Sequence, residues 1–316
     1  MIKNYWIAKS IVIFALVLLC FNNAQSHPWG GLVIDEHGDI YFTFICPIVD
    51  DDHYACVWKI DSNNELTQIL KSSYSPSDIV LSRSNERDIF AAERTGGSPN
   101  YNNSLWRING HETLEEISSS TNQRLFFIQA FAVSNNGILY FARENKLYSR
   151  DRNNTISEII LPENIGRIQL MELGTSEELY LLAGNNLYLK NKNESLRLIK
   201  SDLKEKNPEN LPFRGANIFF DMAIDDRGSV YLAYYGDRKV IEVTKDGILS
   251  VVLEAKAPWS PHRVDLYEGN LYVLESTLGN GAWWKFWDTS DDAIIPRIRR
   301  LDKNGKVSEI FIHSSN

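Results

Sequence analysis

Cysteine is scarce in this 316-residue chain, which has three, at positions 20, 46 and 56. One short bridge at most can form in the body of the chain, so disulfides do not replace a core, and Cys-x-x-Cys sites are excluded. Positive charge is not in excess either. Lys and Arg number 33 against 41 Asp and Glu, a formal charge of −8. Displacing the counterions of a nucleic acid or an anionic membrane needs clustered cations, so neither is expected as a partner. The sequence has no Gly-x-Ser-x-Gly elbow, no His-Glu-x-x-His helix and no phosphate-cradling glycine loop, which removes three common catalytic or nucleotide-binding signatures. After residue 26 no stretch keeps a 3.6-residue apolar period over three turns, so long amphipathic helices are not expected.

Only one apolar run is long, and it lies at the start. Lys3 and Lys9 precede Ile11 to Phe21, and small residues follow at Ala24 and Ser26. That order describes a secretory leader over 1–26, cut before His27. The run covers residues 11–21, short of the roughly 20 residues that span a bilayer. Cys20 keeps a lipoprotein reading open, although Leu19 before it is bulky where a lipid-attachment signal carries a small residue. The expectation is a secreted or periplasmic chain over 27–316, off the membrane once cleaved. Loss of the two leader lysines takes its formal charge from −8 to −10.

What the chain does have is an internal repeat. Six times it writes an apolar strand, a short polar turn and a second strand with an aromatic residue. The marker aromatics are Tyr41, Phe90, Tyr140, Tyr180, Tyr231 and Tyr272, spaced 49, 50, 40, 51 and 41 residues apart. A hairpin follows each, with third strands such as Val57-Trp-Lys-Ile60 and Ile298-Arg-Arg-Leu301 and turns such as Asp246-Gly247 and Asn304-Gly305. Asn-Gly and Asp-Gly between apolar runs are strong hairpin signals, because both turn positions need positive φ. Four strands every 40 to 50 residues make a propeller blade. The prediction is an all-β fold, one six-bladed β-propeller domain over 27–316 with four antiparallel strands per blade. With 43% apolar and 11% aromatic residues, the composition can supply its core.

The Gly-x-x-x-Asp-x-x-Gly-x-x-Tyr run at 31 to 41, its copy ending at Tyr231, and the strand ends Lys59-Ile-Asp61 and Arg300-Leu-Asp302 resemble the NHL-repeat propellers. They also resemble the gluconolactonase and senescence-marker-protein superfamily. The resemblance covers nearly all of 28–312 and implies the fold. It implies less about activity, since propellers host hydrolases, lyases, isomerases and binding modules. The lactonase relatives carry a metal quartet of two acids and two asparagines on the channel. Here Trp29 stands near the first acidic position, His262 stands where an asparagine belongs, and Glu275 alone matches.

Loop lengths sort the two faces. Turns between first and second strands, and between third and fourth, are short throughout, as at 36–38, 135–137 and 245–247. The other connections hold every long insertion, including 46–56, 94–103, 201–217, 254–261 and 277–296. Long loops in compact domains carry function, so the site is expected on the long-loop face. Three positions after each marker come Phe44, Glu93, Arg143, Ala183, Tyr234 and Glu275, a ring expected near the channel. Trp29 and His262 are placed at the same mouth. Glu275, His262 and Glu93 are the candidate acid–base groups, and Glu93 and Glu275 the candidate ligands for a divalent cation such as calcium. An equally open reading pairs Glu93 with Arg143 as a structural ion bridge and makes His262 a hydrogen-bonded structural residue.

The loop after Glu275 reads Gly281-Ala-Trp-Trp-Lys-Phe-Trp-Asp288. Its rings either pack as a lid, with Trp259 beneath, or contact a ligand, as flat apolar groups with one polar edge do. Trp29, Arg143, Tyr234, Trp259, Trp283, Trp284 and Trp287 are therefore the expected ligand-binding residues. Asp50-Asp-Asp52 reads as a solvated acidic turn rather than a calcium loop. Cys46 and Cys56 flank one long connection and are expected to be bridged. Two functions remain open: an exported propeller that binds a small molecule, glycan or peptide at this mouth, or a metal-dependent hydrolase of lactonase or esterase type using the same mouth.

Overall fold

The computed structural model describes residues 31–46, 54–72, 77–84, 88–95, 103–109, 113–120, 130–143, 145–192, 194–204, 218–277 and 295–312. Twenty-four strands fall into six sheets of four, and no helix occurs among the described residues. Blade 1 comprises β1 (Leu32–Ile34), β2 (Ile40–Ile45), β3 (Ala55–Ile60) and β4 (Leu66–Lys71). Blade 2 comprises β5 (Ser77–Arg83), β6 (Ile89–Thr95), β7 (Asn103–Ile108) and β8 (Leu114–Ser120). Blade 3 is formed by β9 (Phe131–Val133), β10 (Leu139–Arg143), β11 (Lys146–Arg150) and β12 (Ile156–Ile159). In blade 4 the strands are β13 (Ile168–Leu173), β14 (Leu179–Ala183), β15 (Asn186–Lys190) and β16 (Arg197–Lys200). Blade 5 runs through β17 (Phe219–Ile224), β18 (Val230–Tyr234), β19 (Lys239–Val243) and β20 (Leu249–Glu254). Blade 6 ends the series with β21 (Trp259–Tyr267), β22 (Asn270–Thr277), β23 (Pro296–Leu301) and β24 (Val307–Ile312). All neighbouring pairs are antiparallel, as in the register of Tyr41 with Lys59 and of Tyr272 with Arg300. The six-bladed expectation and the second-strand place of every marker aromatic hold.

Burial is deepest in the second strands and fades toward the rim. Leu179–Ala183 is buried at every residue, whereas Leu249–Glu254 on an outer edge is mostly exposed. Inner strands are covered on both faces by adjacent blades and therefore read as continuous apolar runs. The outer strands β4, β8, β16, β20 and β24 each slip register by one residue against their neighbour. Such bulges twist a free edge and blunt pairing with another chain.

The short turns share one device. Asp35, Asp61, Asp151, Asp225 and Asp302 each accept, through Oδ1, the backbone N–H groups two and four residues on, at 2.8–2.9 Å. The residue three after each aspartate then takes positive φ, as at Gly38, Asn64, Asn154, Gly228 and Gly305. Glycine and asparagine bear that conformation best, which is why the repeat reads Asp-x-x-Gly or Asp-x-x-Asn.

The inner strands form a closed ring in which β1 lies beside both β5 and β21. Each sheet consists of four consecutive strands, so among the described residues no strand from the chain start completes the last blade. The seam between blades 6 and 1 instead rests on packing of Leu32, Ile34, Ile40 and Phe42 against Tyr272, Leu274 and Ile298. Cys46 and Cys56 are joined in a disulfide with Cα atoms 5.2 Å apart. The bridge clamps the connection from β2 to β3, as the spacing led one to expect.

Candidate functional site

Three successive inner strands carry an extra residue at their long-loop ends. Register slips between Ile168 and Leu170, between Phe219 and Asp221, and between Pro261 and Arg263, so Gln169, Phe220 and His262 are the bulged residues. A bulge breaks the in–out alternation of a strand and re-aims a side chain. His262, 2% exposed, lies 4.6 Å from the ring of Tyr235 and 5.6 Å from that of Phe220, which meets Tyr235 edge-on at 4.8 Å. The His262 Nε2 atom is hydrogen-bonded to the Ser276 hydroxyl. Gln169 donates to the Gly184 carbonyl at 2.7 Å. Burial raises the Tyr235 phenol above its ordinary range, so it stays protonated.

The six ring positions do lie at this end, but their side chains take separate partners rather than forming one funnel. Glu275 is fully buried, and both carboxylate oxygens are occupied, one by Arg297 Nε at 2.6 Å and the other by Arg299. The Arg297 guanidinium stacks 4.0 Å over the ring of Trp259. Arg299 also reaches the Glu254 carbonyl of blade 5 at 3.3 Å. Glu93 is buried and accepts a hydrogen bond from Ser72 of blade 1. Arg143 sits over the rings of Phe141 and Tyr148 at 5.7 and 5.5 Å. Tyr234 packs at a tilt against Phe219, ring centroids 4.6 Å apart, and Ala183 is fully buried. The geometric reason is that a second strand has the inner strand between it and the axis. Glu275 lies opposite Pro261, Glu93 opposite Ile79 and Tyr234 opposite Phe219. Trp29, Trp283, Trp284 and Trp287 lie outside the described residues, as do residues 50–52.

A cavity of about 330 Å³ lies at the other end of the channel. Its walls are the final residues of the inner strands and the short turns after β9, β13, β17 and β21. Glu172 of blade 4, Asp221 of blade 5 and Asp265 of blade 6 line it together with Ser82 and Arg83 of blade 2. Ser82, Glu172 and Asp265 occupy equivalent places, each opposite its blade's marker aromatic. The three residues are half-buried and line the cavity. Burial raises Glu172 to about 8, Leu173 N–H opposing and the Asp221 and Asp265 charges adding. Burial likewise raises Asp221 to about 7 against the pull of Arg263, and raises Asp265 against that of Arg83. The sequence carries the signal in plain view: an acid stands within otherwise apolar runs at Leu170-Met-Glu172-Leu and Val264-Asp265-Leu.

No protein-family model matches the chain, and no curated protein matches it by sequence. Its likeness is to solved six-bladed propellers. Virginiamycin B lyase from Staphylococcus aureus superposes with a TM-score of 0.53 at 14% identity, over 92% of this chain and 87% of that one. A presumptive gluconolactonase gives 0.52 at 12% identity, over 81% and 88%. An auxiliary nutrient-binding protein from Bacteroides thetaiotaomicron gives 0.53 at 10% identity, over 79% and 67%. At such identities the likeness establishes the fold and carries no residue roles. A lyase, a presumptive lactonase and a binding protein share the architecture, so function has to be argued from the sites.

Proposed function

We propose that this is an exported binding propeller that takes a small molecule, glycan or peptide at the long-loop mouth above blades 4 to 6. The observation that carries the reading is the run of three bulges that turns Gln169, Phe220 and His262 out of the strand pattern. With the buried Tyr235 they form an aromatic cluster with polar edges beneath that mouth, the kind of surface on which an organic ligand settles. Trp259 with its stacked Arg297 continues that surface, and Arg143 and Tyr234 stand at the same end. Trp29, Trp283, Trp284 and Trp287 are assigned to the aromatic cover. The Cys46–Cys56 bridge agrees with an oxidising compartment, as does a leader over 1–26.

A hydrolase of lactonase or esterase type at the same mouth is the second reading. The contact between His262 and Ser276 favours it, because an imidazole beside a hydroxyl is a general-base arrangement. The pairing of Glu275 with two guanidinium groups weighs against a metal there. A thermal-shift screen of sugars, peptides and aromatic small molecules tests the first reading. Hits should weaken at least tenfold in Trp259→Ala or His262→Asn, and hits indifferent to both changes would overturn it. Turnover of a lactone or ester by the wild type, abolished in His262→Asn, would replace binding with catalysis. Sensitivity of that turnover to chelator would add the metal.

A further inference from the structure

We infer that the channel cavity on the short-turn face is a second binding site, built for an aliphatic diamine. It lies at the opposite end of the channel from the mouth discussed above and does not depend on that reading.

Charge gives the first reason. The described lining contains seven carboxyl groups and one guanidinium, Arg83. Glu172, Asp221 and Asp265 stand deep, while Glu177, Asp226 and Glu268 stand on the turns at the opening. Such a cleft focuses a negative potential and concentrates cations. An unpartnered group gives the second reason. The Ser82 hydroxyl is 3% exposed, lines the cavity and has no hydrogen-bond partner among the described residues. A buried hydroxyl left without a partner is costly and marks a place where a ligand donor or acceptor is missing.

The occupied bonds then sort the carboxylates. Asp265 already accepts the Ile34 and Leu266 N–H groups at 2.7 and 2.8 Å and faces Arg83 at 3.6 Å. Asp221 accepts the Val264 N–H at 3.1 Å. Among the described residues Glu172 accepts only the adjacent Leu173 N–H at 3.1 Å, so it is the group most able to receive a new donor. Leu32, Val33, Leu81 and Met222 supply apolar wall between these polar points. A space of about 330 Å³ is too large for one bare ion, and no three acidic, histidine or cysteine side chains among the described residues converge as ligands for one. A carbon chain with an ammonium at each end fits instead, one end at Glu172 and Ser82, the other at the acidic opening.

Glu172 sits with Asp221, Asp265 and Arg83 facing it, and burial holds it largely protonated near neutrality. Seating an ammonium there favours the carboxylate, so binding should release a proton and tighten as pH rises from 6 to 8. The experiment is isothermal titration of the folded wild type with 1,4-diaminobutane, in two buffers of different ionisation enthalpy. One saturable site is expected, with proton release, and with butane-1,4-diol inert. Glu172→Gln should weaken binding at least tenfold and Ser82→Ala about threefold, with thermal unfolding confirming that each is folded. Should Glu172→Gln fail to fold, Ser82→Ala and the diol carry the test. Lack of saturation by the diamine at millimolar concentration would overturn the proposal. So would affinity unchanged in both variants, or stoichiometric calcium binding that displaces the diamine. None of these outcomes bears on ligands that depend on Trp259 or His262.

Discussion

The carboxylate of Asp265, on the innermost strand of the last blade, accepts the backbone N–H of Ile34, on the innermost strand of the first, at 2.7 Å. Asp221 does the same one blade earlier, accepting the Val264 N–H at 3.1 Å. Two arginines pull the other way. Arg263 donates to the Phe220 carbonyl of blade 5, and Arg83 donates to the Ile34 carbonyl of blade 1. Charged side chains near the axis thus satisfy backbone groups of neighbouring blades. Hydrogen bonds to charged groups are among the stronger ones. With no strand shared across the seam among the described residues, these ties and the apolar cluster around Phe42 hold the ring closed.

Asp265→Ala should therefore loosen the seam. It leaves the Ile34 N–H without its acceptor and removes the ion pair with Arg83, a loss of about 2–3 kcal/mol. Urea unfolding followed by tryptophan fluorescence would show a lower midpoint. Glu158→Gln, which breaks the exposed pair with Lys146, should change stability by less than about 0.5 kcal/mol. Equal effects from the two variants would remove the seam argument.

A second test addresses the contact between blades 4 and 5. Gly228 has φ of +82°, and a Cβ there would stand 2.7 Å from the hydroxyl of the buried Tyr180. Gly228→Ala combines left-handed backbone strain, about 1–2 kcal/mol, with displacement of that ring. A loss of roughly 2–4 kcal/mol is expected. Gly269 also has positive φ, +74°, but nothing lies within 4 Å of its would-be Cβ. Gly269→Ala should show the backbone part alone, and the difference between the two unfolding free energies measures the Tyr180 contact.

Much of the fold was legible because its turns and aromatic markers recur at fixed places. Asp225-Asp-Arg-Gly228 and Asp302-Lys-Asn-Gly305 announce their own hydrogen bonds, since the acid and the positive-φ residue must sit three apart. The site was less legible for two physical reasons. Counting three residues from each marker finds the right end of the strand, yet it cannot show that β21 shields Glu275 from the axis. A period-two reading also assumes a regular strand, and the extra residues at Gln169, Phe220 and His262 break that period where the side chains matter. No sequence signal distinguishes those bulges from ordinary strand starts. The acids at 172, 221 and 265 were visible but stood on strands valued only for their apolar neighbours.

The disulfide makes a third prediction. Protein made under oxidising conditions and denatured without reductant should show no titratable thiol from Cys46 or Cys56. Two thiols per chain would contradict the bridge. The paired serine variant should lose about 2–3 kcal/mol, as expected for a short loop whose closure no longer limits the unfolded chain. Its blade 1 strands should otherwise remain paired, since Phe44 and Cys56 already face each other in register.

The last prediction concerns pH. Burial raises Glu172 from an ordinary value of 4.5 to about 8 and Asp221 from 3.8 to about 7. Between those limits the folded chain holds protons that the unfolded chain has released. Stability from these groups is fully present below about pH 4 and is lost as pH rises through 7 and 8. Asp61 and Asp302 act in the opposite sense. Backbone N–H groups in their turns lower both carboxyls, so their contribution is present above pH 4 and lost in acid. Thermal stability should peak on the acidic side of neutrality and fall by on the order of 5 °C or more from pH 5.5 to 8.5. Glu172→Gln should flatten the upper part of that decline, and adding Asp221→Asn should flatten it further. The measurement is a set of melting curves at constant ionic strength. A wild-type midpoint that rises toward pH 8, or a decline that persists unchanged in the double variant, would show that the channel carboxyls are not protonated as burial dictates.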